Sequence, residues 1–260
     1  MAYTKFVIIS HLRSGTHLLR SLLESHPQLV CQSEVFNSDD PALPFSLDMP
    51  SRDILDQWVY RDFASSISCA GFVLQVYHPW GLRAFPGIRE NPGWGDIWAL
   101  LEAMPDLHVI HLQRENLLRR HLSHLLARKT GNWHNWVPEK AAAITHLHPL
   151  PVAVENIAGR PAVTLDAERL QIDFEEVEAL HQEVATRFAG GRYMTLTYEQ
   201  LSGESDTQSA RLLDFLELPP ARLEAAVSRL DSRPLCESIR NFEALREEFA
   251  DTRWSAFFQS

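Results

Sequence analysis

The stretch Phe6-Val7-Ile8-Ile9-Ser10-His11-Leu12-Arg13-Ser14-Gly15-Thr16-His17-Leu18-Leu19 decides how this chain is read. Its short apolar run is bounded by polar residues, the pattern of a buried strand. Leu18, Leu19, Leu22 and Leu23 then repeat at helical spacing until His26-Pro27 stops them. Between the two lies a tight turn, Ser10 to Thr16. Such a turn sets the unpaired N–H groups of a first helical turn at the C-terminal end of a strand. The helix dipole adds partial positive charge there. Gly15 admits an anion close to the backbone. Ser14 and Thr16 offer hydroxyls and Arg13 a permanent charge, so the turn is a compact phosphate cradle. A strand-to-helix turn with polar capping residues would leave the same pattern. A nucleoside triphosphate P-loop is disfavoured, because its first Gly and the Lys after Gly15 are both missing.

Outward from this stretch, short apolar runs alternate with helical patterns, as in a parallel α/β sheet. Leu29 to Cys31, Gly71 to Val76, Leu107 to Leu112 and Tyr193 to Thr197 read as further strands. Helical spacing links Trp94, Ile97, Trp98 and Leu101, then residues 116–129, then Phe174 through Phe188, then Leu212, Leu213 and Leu216. Ala162 to Leu165 reads as a short strand or an extended connector. Residues 37–60, rich in Pro, Asp and Ser, and 78–93, rich in Pro, Gly and Trp, read as loops over a site or as irregular surface.

A second anion site lies mid-chain. Arg114 ends the Leu107–Leu112 strand, on the ligand edge of a parallel sheet. Asn116 is placed to cap the next helix, and Ser123 falls two turns into it. Arg114, with its forked donors, and Ser123 together suit a second phosphate. A salt-bridged Arg and an ordinary helical Ser are the alternative. The two sites together suit a ligand with two separated anionic groups.

The bulk numbers bound the rest. The chain has 260 residues, 45% of them hydrophobic, which suits one domain over 1–260. A net charge of -10 argues against a nucleic-acid binder. No apolar run nears the ~18 residues of a membrane helix, and Phe6 to Ile9 is too short for a signal-peptide core. Three scattered cysteines (Cys31, Cys69, Cys236) read as reduced thiols in a cytoplasm.

Arg-Ser-Gly-Thr-x-x-Leu at 13–19 and Arg-x-Asn at 114–116 followed by Ser123 resemble the 5′-phosphosulfate and 3′-phosphate motifs of the sulfotransferase superfamily. The wording Arg114-Glu115-Asn116-Leu117-Leu118-Arg119-Arg120, Leu122-Ser123 and Thr130 to Trp133 is most similar to bacterial carbohydrate and glycolipid sulfotransferases of the nodulation-factor and trehalose type. Glu34, Val163 to Asp166, Thr197 to Leu201 and the segments at 241–242 and 252–254 extend the resemblance over nearly the whole chain. It implies a P-loop-like three-layer α/β fold with a central parallel sheet flanked by helices. It implies transfer of a sulfuryl group from 3′-phosphoadenosine 5′-phosphosulfate (PAPS), without a metal, to a hydroxyl of a carbohydrate, glycolipid or other small alcohol.

The roles carried over follow the matching positions. Arg13 serves the leaving phosphate and sulfuryl oxygens, and Ser14, Gly15, Thr16 and His17 hold the 5′-phosphate. Arg114 and Ser123 hold the 3′-phosphate, while Tyr198 and Arg128 come from looser matches. Glu34, following a strand, can share the sheet edge with Arg13 as general base; His78 or His11 is the alternative base. Leu12 stands where many relatives have Pro, Gln75 where they often have Lys, and the Arg114–Ser123 gap is one residue longer than in the animal cytosolic enzymes. Substrate-side roles around 75–80 are therefore not carried over.

Other constellations carry less. The histidine pairs 121/124, 146/148 and 108/111 lack a zinc-type spacing. Trp80, Trp94, Trp98, Trp133 and Trp136 read as core, with Trp80 or Trp133 also suited to stacking on a sugar or touching lipid. Arg246-Glu247-Glu248 reads as a solvated helix face. A non-catalytic PAPS-binding protein and a nucleotide-dependent kinase of related fold are the rival functions. A homo-oligomer is compatible with the sequence.

Overall fold

The computed structural model describes residues 3–77, 92–133, 137, 161–227 and 233–259. Five parallel strands, β1 (Thr4–Ser10), β2 (Leu29–Gln32), β3 (Cys69–Gln75), β4 (His108–Gln113) and β5 (Arg192–Thr197), form one sheet in the order β2-β3-β1-β4-β5. β1 is central because it is apolar on both faces. Phe6 and Ile8 enter one core layer with Leu19, Leu22 and Leu23 of α1 (Thr16–Glu24) and Leu212 and Leu213 of a later helix. Val7 and Ile9 enter the opposite layer with Phe72, Leu74, Trp94, Ile97 and Trp98. Covering both faces is what an all-parallel sheet requires. Gly71 of β3 lets β1 approach closely, since a Cβ there would sit 2.3 Å from the Phe6 carbonyl oxygen.

The chain leaves β1 toward β2 on one side of the sheet and later takes up β4 on the other. The crevice between the C-terminal ends of β1 and β4 is therefore the topological switch point, where ligands of such sheets bind.

One expectation changes. Residues 37–60 are not all irregular: α2 (Ser51–Ile54) runs into a wider turn at Leu55–Val59. Ile54, Leu55, Val59 and Tyr60 are buried in the sheet's second core layer. Pro50 supplies the fixed φ that starts this helix, and the apolar spacing was there to be read among the polar neighbours. Val163 makes a single bridge to Ile239, so 162–165 is an extended connector. Of the 78–93 segment only Pro92 and Gly93, in a short 3-10 turn with Trp94, fall among the described residues. His78, Trp80, Trp136, His146 and His148 lie outside them.

Beyond β4, α3 (Ile97–Glu102) having come before it, α4 (Leu117–Thr130) packs against α5 (Ala167–Phe188). Leu118, Leu122, Phe174 and Val177 make a third core, closed by Phe249, Trp254 and Phe258 near the C-terminus. The Asn116 side chain caps α4 by accepting from Arg119 N at 2.9 Å, and its Nδ2 donates to the Phe257 carbonyl at 3.1 Å. β5 runs into α6 (Tyr198–Gly203) through a Thr197–Gln200 capping box, followed by α7 (Ser205–Phe215).

Candidate active site

After β1 the chain turns sharply. Arg13 (φ 62) and Gly15 (φ 95) both adopt left-handed backbone around Ser14, and α1 starts at once. Two such residues so close together aim backbone N–H groups into the concavity ahead of the helix. Gly15 is required there twice over. Its φ suits no Cβ, and a Cβ would lie 2.6 Å from Cδ2 of Tyr198. The Ser14 hydroxyl is buried with no hydrogen-bond partner among the described residues. A buried hydroxyl left so is a donor in need of an acceptor. Thr16 is buried and His17 half-exposed in the first turn of α1.

The mid-chain residues meet this turn. Arg114 Nη1 donates to the Arg13 carbonyl at 3.2 Å. The Arg114 guanidinium lies 4.6 Å from the Tyr198 ring centroid, so Tyr198 touches Gly15 and Arg114 together. Glu199 steadies this side, with Oε1 3.9 Å from Arg114 Nε and Oε2 accepting from Glu115 N at 3.0 Å. From α4, Ser123 Oγ accepts from Arg13 Nε at 3.1 Å, and Arg13 Nη1 donates to the Trp133 carbonyl at 2.5 Å. Trp133 is 41% exposed, with its ring 5.9 Å from the guanidinium and 5.7 Å from the His124 ring.

Glu34 reaches the same edge from beyond β2. Its Oε1 accepts from Gln75 Nε2 at 2.8 Å and its Oε2 from Asn37 Nδ2 at 3.4 Å. Burial pushes its carboxyl above the usual range, against the opposing pull of the Gln75 hydrogen bond and the Arg13 and Arg20 charges. Tyr77, its phenol raised by burial and then by the Glu34 charge, flanks this carboxylate.

The other sequence candidates fall further off. Arg128 is exposed in the last turn of α4, and its charge reaches His124. His11 is fully buried beneath the turn, and its Nδ1 accepts from Arg120 Nη1 at 3.0 Å. Burial first, and then the Arg120 charge, hold His11 well below the usual imidazole range. Arg120, itself fully buried, pairs with Asp173 of α5, which also takes His121 Nδ1 at 2.9 Å. Buried His111 joins the half-buried Tyr193 and His181 in a second chain, with contacts of 2.6 and 2.9 Å. Among the described residues no group of three or more metal-type side chains gathers. Gln75, Asn37, Tyr77 and Glu199 were not singled out as site residues from the sequence. Gln75 gave a signal as a polar residue ending an otherwise apolar strand, and Glu199 as a member of the Thr197–Leu201 match; Asn37 and Tyr77 gave none.

A parallel sheet with an anion-receptive turn at its switch point defines a nucleotide- or anion-binding α/β protein. The Sulfotransferase family matches residues 6–222, and the chain belongs to that family. It is 28% identical to Nodulation protein H of Rhizobium meliloti over 98% of this chain and 94% of that protein. It is 27% identical to Nodulation protein H of Rhizobium tropici over 98% and 92%. A sulfotransferase from Alicyclobacillus acidocaldarius shares the fold, with a TM-score of 0.51 at 14% identity over 99% of this chain and 96% of that one. The chain is thus a sulfotransferase. None of its described helices is long and apolar enough to cross a membrane.

Proposed function

We propose that this sulfotransferase takes its sulfuryl group from PAPS and delivers it to a hydroxyl of a carbohydrate, glycolipid or similar small alcohol, in the cytoplasm and without a metal. One observation carries the reading: Arg13 links both anion grips, through its carbonyl to Arg114 and its Nε to Ser123. A ligand with anionic groups at both ends fits such a pairing. The Ser14 hydroxyl, without a partner among the described residues, and the space kept by Gly15 fit a phosphate in the turn.

PAPS supplies an activated sulfuryl group on a good leaving phosphate. Ser14, Gly15, Thr16 and His17 hold the 5′-phosphate end, and Arg114 and Ser123 the 3′-phosphate, with Tyr198 between them. Arg128 is the outermost member of this set. As the acceptor oxygen bonds to sulfur and the sulfur–phosphate oxygen bond breaks, Arg13 stabilises the charge gathering on the departing oxygen. Glu34 takes the hydroxyl proton, and its raised basicity suits it to that task. Buried His11, with one nitrogen committed to Arg120, is poorly placed as base. The exposed Trp133 beside Arg13 suits contact with a sugar ring.

Transfer of labelled sulfate from PAPS to a panel of oligosaccharides and glycolipids tests the reading. Glu34→Gln is expected to cut kcat by about 10²- to 10⁴-fold and to leave affinity for the product adenosine 3′,5′-bisphosphate (PAP) within a few-fold. Loss of PAP affinity alone would remove Glu34 from the base role. Binding without turnover on any acceptor would favour a non-catalytic binder, and magnesium-dependent ATP hydrolysis a kinase.

A further inference from the structure

Gln75 ends β3 directly beside the end of β1, where the register pairs it with Ser10. Its side chain is 98% buried, yet both ends of the carboxamide are used. Nε2 donates to Glu34 Oε1 at 2.8 Å, and Oε1 accepts from Ser10 Oγ at 3.1 Å. A carboxylate only accepts, so the amide nitrogen must face Glu34. The amide oxygen then faces Ser10, whose hydroxyl must donate. The adjoining backbone is pinned as well, with Val76 N donating to the Ser10 carbonyl at 2.9 Å. The result is a directed relay, Ser10 to Gln75 to Glu34, that starts in the rigid centre of the sheet and ends on a carboxylate carried by a loop.

We propose that Gln75 is the positioning residue of the transfer reaction, holding the Glu34 carboxylate at one rotation toward the acceptor hydroxyl through a donor that carries no charge. This rests on the reading of Glu34 as the base. Glu34 follows β2 in a segment without regular structure, where Asn37 reaches its other carboxylate oxygen only at 3.4 Å, so the shorter bond from Gln75 is the one anchored in the sheet. Holding a reacting group in one orientation is what turns proximity into rate. The neutrality of the donor has its own consequence. Arg13, Arg20, Asp40 and Tyr77 all act on or face this carboxylate, and Asp39 faces Tyr77. A further cation at position 75, at hydrogen-bond range, would make Glu34 a weaker base. The amide orients it at a smaller cost in basicity.

Three variants test this: Gln75→Met, which keeps the length and removes both hydrogen bonds; Gln75→Lys, which substitutes a charged donor; and Ser10→Ala, which removes only the far end of the relay. The Glu34 carboxyl is titrated by carbon-13 NMR in the ligand-free protein, PAP affinity is measured by calorimetry, and kcat and acceptor KM are followed against pH. Gln75→Met is expected to raise the Glu34 titration midpoint and lower kcat about tenfold or more, with PAP affinity within a few-fold. Gln75→Lys is expected to lower that midpoint and carry the acid limb of kcat down with it. Ser10→Ala, the mildest change, should shift both in the direction of Gln75→Met by less, and it keeps the test decisive if either Gln75 variant fails to fold. An unchanged Glu34 titration and unchanged kcat in the folded Gln75 and Ser10 variants would overturn the proposal. Glu34→Gln separates the two claims. Full activity in that variant would remove Glu34 as base, whereas an inactive Glu34→Gln beside silent Gln75 variants would remove only the positioning role.

Discussion

Arg13 combines an unfavourable backbone with the charge that the proposed reaction assigns to it, and a pair of substitutions separates the two. Its φ of 62 is a left-handed conformation, shared among the described non-glycine residues only with Glu217. For a residue with a Cβ this costs about 1–2 kcal/mol, and a glycine there escapes it. Glycine's greater freedom in the unfolded chain returns about 0.4–1 kcal/mol. Arg13→Gly should therefore be more stable than Arg13→Ala by roughly 1 kcal/mol, or about 2–4 °C in melting temperature for a chain of this size. Both variants lose the bonds to Ser123 and to the Trp133 carbonyl, each worth about 0.5–1.5 kcal/mol at a half-exposed site. Both should lose about 10²- to 10³-fold in transfer rate, because the charged donor proposed for the departing oxygen is gone. The assay is paired calorimetric melting and labelled-sulfate transfer. Equal melting temperatures for the two variants would refute the strain argument, and transfer within tenfold of wild type would refute the catalytic one.

Other outcomes follow from the same contacts. Gly15→Ala would press a methyl group into the Tyr198 ring and strain the turn, so PAP affinity by calorimetry should fall at least about tenfold. Asp173→Asn leaves the buried Arg120 charge uncompensated and should cost about 3–5 kcal/mol in urea denaturation. Burial holds His111 at about 4, and His124 and His181 at about 3, whereas unfolded they titrate near ~6.5. The unfolded chain thus binds more protons below that pH, and stability present above it is lost on acidification. The loss is on the order of 2 kcal/mol per histidine by pH ~5. Glu24, pushed up to about 7 by burial despite Arg20, and Glu34, also raised by burial, work the other way over the same range, two carboxylates against these three histidines together with His11 and His108, which burial also lowers. Melting temperature should fall between pH 7 and pH 5.

The strands, the first helix and the helix capped by Asn116 were legible because each is written locally: an apolar run, a 3.6-residue stripe, a capping side chain. The turn at Arg13 to Thr16 was legible for the same reason, since it lies in one short run of sequence. Helix 51–54 and the turn after it were hidden by Pro, Asp and Ser neighbours, although Ile54, Leu55 and Val59 supply a buried stripe. The contacts that join the site are of another kind. Arg13 and Ser123 stand 110 positions apart, and Glu34 and Gln75 stand 41 apart. Such pairings depend on strand order, and β3 lying between β2 and β1 is not written in any local pattern. Resemblance to a family brought Arg114, Ser123 and Tyr198 together in advance. It offered nothing for Gln75, where the chain departs from its relatives.

Titration of the purified chain with PAP, alone and as the Arg114→Ala/Ser123→Ala double variant, tests most directly whether the two grips hold one nucleotide. Saturable binding of one nucleotide per chain, weakened about a hundredfold or more in the double variant, is the expected result, since charged hydrogen bonds to a phosphate are lost. Absence of binding by the wild-type chain, or equal affinity in the double variant, would contradict it.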